Sequence, residues 1–171
     1  MKKFSPILLT VFIQVLAGVT IVALLNMLDP GLFAPLMDEK INGRSLRFAL
    51  EDLRFGLGVV TVSSVGTAIL ASLVWLLCAL FKSVHHPKDV PTLSPFWVFN
   101  TLFFMIVTAG IVYYEIDQLF YAMRTSYTTH IVLMALVLFL LFYYLATFLA
   151  TRPTMRPSVL FRNRLFMRRQ S

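Results

Sequence analysis

The sequence predicts an all-α fold, a polytopic membrane protein built as a four-transmembrane-helix bundle with a short external amphipathic helix. Three observations carry that prediction. Hydrophobic residues make up 58% of the 171 residues against 13% charged, and the mean hydropathy is +0.80, far above the near-zero value of a water-soluble domain. Four apolar runs each reach the roughly 20 residues needed to cross a hydrocarbon core of about 30 Å. The connections between them are short, so one membrane domain over residues 1–171 is expected, with no separate soluble domain.

The first run, Ile7 to Leu28, contains no charge and only Gln14 and Asn26 as strongly polar side chains. Lys2 and Lys3 precede it as they would a signal peptide, but the apolar stretch exceeds the roughly 7 to 15 residues of a signal core and closes on a poor cleavage pattern, Asn26-Met27-Leu28-Asp29-Pro30. It is expected to be a retained span. The second run is Gly58 to Phe81, the third Phe96 to Tyr114 and the fourth Ile131 to Ala150. Pro95 suits the first turn of a helix, where its missing N–H is no loss, and Pro153 and Pro157 stop the fourth span. The 16 phenylalanines fit helices that face acyl chains.

Orientation follows from the basic residues, because the cytoplasmic side retains the excess of Lys and Arg. The side holding both termini and the loop from Lys82 to Pro95 carries ten of them, the opposite side five. Both termini are therefore expected to be cytoplasmic. The net charge of +7 gathers on that face, where anionic lipid headgroups are the expected partners, and topology explains it without nucleic acid.

The connection from Asp29 to Leu57 opens on the turn signal Asp29-Pro30-Gly31. Over residues 44–55, Leu46, Leu50 and Leu53 recur at helical spacing beside Arg44, Arg47, Glu51 and Arg54, which reads as the external amphipathic helix. Its leucines are candidate contacts for lipid or a partner, with Arg47 and Arg54 beside them. Tyr113, Tyr114, Tyr121 and Tyr127 suit an interfacial belt. The tail, residues 152–171, interleaves six arginines with apolar residues that share no helical face, and is read as a basic anchor to the inner leaflet.

No catalytic constellation is legible, and an enzyme is not expected. Cys78 alone can build neither an intramolecular disulfide nor a thiolate cluster, and His85 and His86 lack the further ligands a metal requires. With no histidine inside a span, haem is equally unsupported, and no cofactor is expected. Glu115, Asp117, Arg124 and His130 bracket the outer ends of the third and fourth spans as a candidate ionisable boundary cluster, whereas the spans themselves hold no Asp, Glu, Lys, Arg or His. Ser64, Ala68 and Ser72 form a small-residue stripe on the second span, suited either to packing within the bundle or to a partner helix.

Several small bacterial families share this layout, which points to a bacterial inner membrane. Thiol-oxidising quinone reductases need paired cysteines, which Cys78 cannot supply. The chain resembles the small membrane subunits of binding-protein-dependent secondary transporters in length and span count, without the Trp and Glu pattern that usually follows their first span. It is similar to immunity proteins against pore-forming bacteriocins in length, in the expected placement of both ends and in its basic tail, and no specific motif accompanies that likeness. By elimination, the expected function is that of a non-catalytic accessory subunit bound to a larger membrane assembly for transport or secretion. One alternative is an immunity protein against a membrane-targeting toxin. Another is a small transporter or channel formed as a homo-oligomer, with Gln14, Ser63, Thr67, Asn100 and Thr108 along a polar seam.

Overall fold

A computed structural model describes residues 5–29, 31–32, 46–81, 94–119, 125–151 and 159, and only the backbone of residues 5–6, 46–50, 81, 94, 119 and 125–127. Four helices carry the described chain: α1 Ser5–Met27, α2 Leu46–Phe81, α3 Ser94–Leu119 and α4 Thr125–Ala150. Each contains a stretch long and apolar enough to cross a membrane, namely Ile7–Met27, Glu51–Leu80, Pro95–Gln118 and Thr128–Ala150. Pro6 and Pro95 both stand one residue after a helix start, the position their fixed φ favours. Beyond α1, Asp29 closes an Asx turn by accepting from the Gly31 N–H at 3.0 Å, as its Asp-Pro-Gly signal predicts.

The helices alternate in direction. Ser5, Phe81, Ser94 and Ala150 share one end of the bundle, called proximal, and Met27, Leu46, Leu119 and Thr125 the other, called distal. α2 packs on all three neighbours, while α1 leans mainly on α2 and only lightly on α4. The core follows α2: Val65, Ala68, Ala71, Trp75 and Ala79 meet Trp97 of α3 and Phe139, Phe142 and Tyr143 of α4. Val159 joins this cluster. One residue of the tail thus returns to the bundle, although the sequence shows only a basic anchor there; the six arginines of that anchor lie outside the described residues.

One boundary differs from the sequence reading. The amphipathic segment 44–55 and the span predicted from Gly58 are separate in the sequence pattern, yet residues 46–81 form one helix of 36 residues, about 54 Å long at 1.5 Å per residue. Neither Gly56 nor Gly58 interrupts it. Leu53 and Leu57 are both buried and continue directly into Val60 and Ser64, so Leu53 of that segment belongs to the face that α2 buries in the bundle. Helix interiors tolerate isolated glycines when the face on either side is packed.

Candidate functional site

Hydroxyl groups inside an apolar bundle need partners, and the first available acceptor is the carbonyl one turn back on the same helix. Thr61, Ser64, Ser72, Thr101 and Thr108 all donate to the carbonyl four residues earlier at 2.7 to 2.8 Å. Their remaining capacity reaches across helices. The result is a polar seam that runs the length of the interior and joins all four helices.

At the proximal end, Trp75 donates its indole N–H to Thr151 at 3.1 Å and Trp97 donates to Thr147 at 3.3 Å. Thr151 in turn donates to the Thr147 carbonyl, closing the pair. Asn100 of α3 donates to the Ala71 carbonyl at 3.0 Å and lies 3.1 Å from the Tyr143 hydroxyl, linking three helices. Tyr143 is fully buried, stacked on Phe139 at 5.7 Å and tilted against Trp97 at 5.4 Å. Nearer the middle, Gln14 donates to the Phe142 carbonyl at 3.2 Å and accepts from Ser72 at 3.3 Å, so α1 is tied to α2 and α4 through one amide. Thr67 and Thr108 bridge α2 and α3 at 2.8 Å.

The distal part of the seam holds its single carboxylate. Ser63 of α2 donates to Glu115 Oε1 of α3, and Glu115 Oε2 is shut away from solvent with no hydrogen-bond partner. Sequence reasoning places Glu115 just outside the third span. The helix register moves it inward: Ser63 is five residues inside the span predicted from Gly58, while Glu115 is one residue beyond the span predicted to end at Tyr114. Hydropathy fixes each helix's limits separately and cannot see how far one slides against another, and here the two estimates differ by about 9 Å.

Three of the four residues of the expected boundary cluster are described. Glu115 turns into α2, Asp117 is exposed and accepts from its neighbour Gln118 at 3.4 Å, and His130 lines a hollow between α1, α2 and α4. Residues two apart on a helix point to different sides, which separates Glu115 from Asp117. Arg124 lies outside the described residues. In the small-residue stripe, Ser64, Ala68 and Ser72 are at most 1% exposed, so its use for packing within the bundle is the one observed, and the stripe is not available to a partner's helix. For the amphipathic segment, the side chains of Leu46, Arg47 and Leu50 lie outside the described set; Leu53 is buried, and Arg54 donates to the Asn26 carbonyl at 3.2 Å, pinning α2 to the end of α1.

Two lateral hollows open along the α1–α4 seam. The distal one, about 480 Å³, is bounded by Ile21, Leu25, Leu57, His130, Met134 and Leu141 among others. The proximal one, about 410 Å³, is bounded by Leu9, Ile13, Gln14, Leu141, Leu145 and Leu149 among others. They share Leu141 and are almost wholly apolar. Sequence reasoning names Gln14, Ser63, Thr67, Asn100 and Thr108 as a seam and misses its proximal half, Trp75, Trp97, Tyr143, Thr147 and Thr151; a polar tip on a large ring inside an apolar run is the signal that could have found it. Among the described residues no group of three or more His, Cys, Asp or Glu is placed to hold a metal ion. No protein-family model, no curated protein and no solved structure matches this chain.

Proposed function

We propose that this chain is a non-catalytic membrane subunit that binds a larger membrane assembly through its helices, at a bacterial inner membrane, with both termini cytoplasmic. The observation that supports this reading is the state of α1. Its apolar stretch has a mean hydropathy of 2.6, yet only 17% of it is buried in the bundle, and its α4 side is the pair of lateral hollows. A helix so apolar and so lightly covered has most of its surface left for lipid or for other helices. The polar seam favours the same reading over a solute path, because its side chains are engaged with one another between the helices.

The test is purification of the tagged full-length chain at native expression in mild detergent, followed by mass spectrometry and native sizing. A larger membrane protein in fixed stoichiometry is the expected result. A lone monomer or homo-oligomer sinks the proposal and moves protection of a toxin-sensitive strain and solute flux in liposomes to the front.

A further inference from the structure

The two lateral hollows lie end to end along α4 and meet at Leu141. The distal one runs from His130 to Leu141, eleven residues or about 16 Å, and the proximal one from Leu141 to Ala150, nine residues or about 14 Å. On α1 the distal hollow takes Ile21 and Leu25, and the proximal one ends at Ala17, the middle residue of the apolar stretch Ile7–Met27. The junction is therefore at mid-span, and each hollow is as deep as one leaflet of a hydrocarbon core about 30 Å thick.

Cross-section decides what fits. About 480 Å³ spread over about 16 Å leaves roughly 30 Å² on average, and about 410 Å³ over about 14 Å leaves nearly the same. A hydrocarbon chain, whose carbons sit about 4 to 4.5 Å from their neighbours, fills about 20 Å². An α-helix about 10 to 12 Å wide needs about 80 Å² or more. Each hollow thus admits one chain and no helix. Water is a poor occupant as well. The walls are almost wholly apolar, Gln14 is engaged with the Phe142 carbonyl and Ser72, and Thr61 donates to the Leu57 carbonyl. The way in is from the side, where Leu9, Met134, Val137 and Leu149 are exposed.

We propose that the α1–α4 seam is a lipid-binding site, with one phospholipid acyl chain seated in each hollow and entering from the leaflet that borders it. A chain already in lipid gains nothing from the hydrophobic effect on entering, so it is held by shape. It restores the dispersion contacts that α1 and α4, touching only lightly, do not make with each other. The inference rests on the membrane reading of the bundle and not on any partner, and it leaves Phe12, Leu16 and Val19 of α1 open to one.

The test uses the full-length chain in phosphatidylcholine vesicles that contain a small fraction of phosphatidylcholine with a photoactivatable diazirine in one acyl chain. Retention in the membrane after an alkaline carbonate wash checks insertion separately. After irradiation, adducts are located by mass spectrometry. Labelling of Met134 and Leu145 several-fold above that of Phe103 and Ile106, which are exposed on α3 outside the hollows, is expected. Ala17→Phe places a ring in the proximal hollow alone, and is expected to remove the excess at Leu145 while Met134 keeps its own. Val137→Trp, which obstructs the distal hollow alone, is expected to do the reverse. Circular dichroism and native sizing identify a variant that fails to fold, and the other variant then decides. Equal labelling of hollow and α3 residues, or an excess that a folded filling variant leaves unchanged, overturns the proposal. So does labelling in native membranes that reaches Phe103 and Ile106 but not the hollows, since a protein partner then fills them.

Discussion

α1 and α2 differ in a way that reverses the usual rule of burial. α1 is the more apolar, with a mean hydropathy of 2.6 against 2.0 in their spanning stretches, yet 17% of its stretch is buried against 50% for α2. In water the more apolar element goes to the core, because the hydrophobic effect drives it there. In lipid that force between helices is absent, and what draws helices together is close packing at small residues and hydrogen bonds between polar ones. α2 has both: Ser64, Ala68, Ala71 and Ser72 lie on its buried face, and Trp75 anchors it. α1 has them only on a narrow stripe through Ile7, Gln14 and Gly18, and Leu8, Phe12, Leu16 and Val19 face away.

The largest effect is expected where α2 is most enclosed. Trp75 is 1% exposed, stacks near Phe96 at 6.1 Å and donates to Thr151. Trp75→Ala leaves a cavity in the cluster that holds Ala71, Ala79 and Tyr143 and removes the indole donor to Thr151, and is expected to destabilise the bundle by about 3 kcal/mol. Unfolding of the purified chain by sodium dodecyl sulfate in mixed micelles, followed by circular dichroism, measures it. A loss no larger than that of an exposed α1 residue contradicts the assignment of the core to α2.

A smaller but sharper contrast comes from two glycines. A Cβ at Gly18 of α1 meets Val65 Cγ1 at 3.0 Å, whereas a Cβ at Gly66 of α2 meets nothing within 4 Å. Gly18 is thus the point where α1 closes on α2, and Gly18→Leu is expected to cost about 2 kcal/mol by forcing the helices apart. Gly66→Ala is expected to be neutral or to stabilise by up to about 1 kcal/mol, since the substitution favours the helix and meets no neighbour. The same denaturation series compares them, and equal losses at both positions contradict the register of α1 on α2.

Element existence was legible in the sequence because each helix is a long apolar run bounded by turn or charge signals, and such runs need no knowledge of their neighbours. The spans predicted at 7–28 and 131–150 differ from the observed apolar stretches by only a few residues. Register was not legible. Whether Glu115 faces water or Ser63 depends on how far α3 slides along α2, and nothing in either run alone encodes that offset. Likewise the leucines of 44–55 carry helical periodicity, but periodicity does not say whether a helix stops before the next span or continues into it, as α2 does. Of the polar seam, the amide and hydroxyl residues stood out against an apolar background, while Trp75, Trp97 and Tyr143 were hidden because their rings count as apolar.

The smallest expected effect on stability is the most informative about function. Phe12, Leu16 and Val19 are 63%, 55% and 61% exposed on α1. Replacing any of them by alanine removes side-chain atoms that already face outward, so the bundle is expected to change by no more than about 0.5 kcal/mol. Lipid and a partner's helix make opposite demands at these positions. Acyl chains fill whatever shape is left, so a surface that faces only lipid tolerates the triple alanine variant without consequence. A helix seated on α1 loses its interlocking side chains and with them most of its affinity, because a few packed residues dominate such interfaces. The triple variant is therefore expected to fold like the parent chain in the denaturation series and to lose the co-purifying membrane protein in mild detergent. If the partner is instead retained in full, α1 faces lipid alone, and the proposed contact moves off α1.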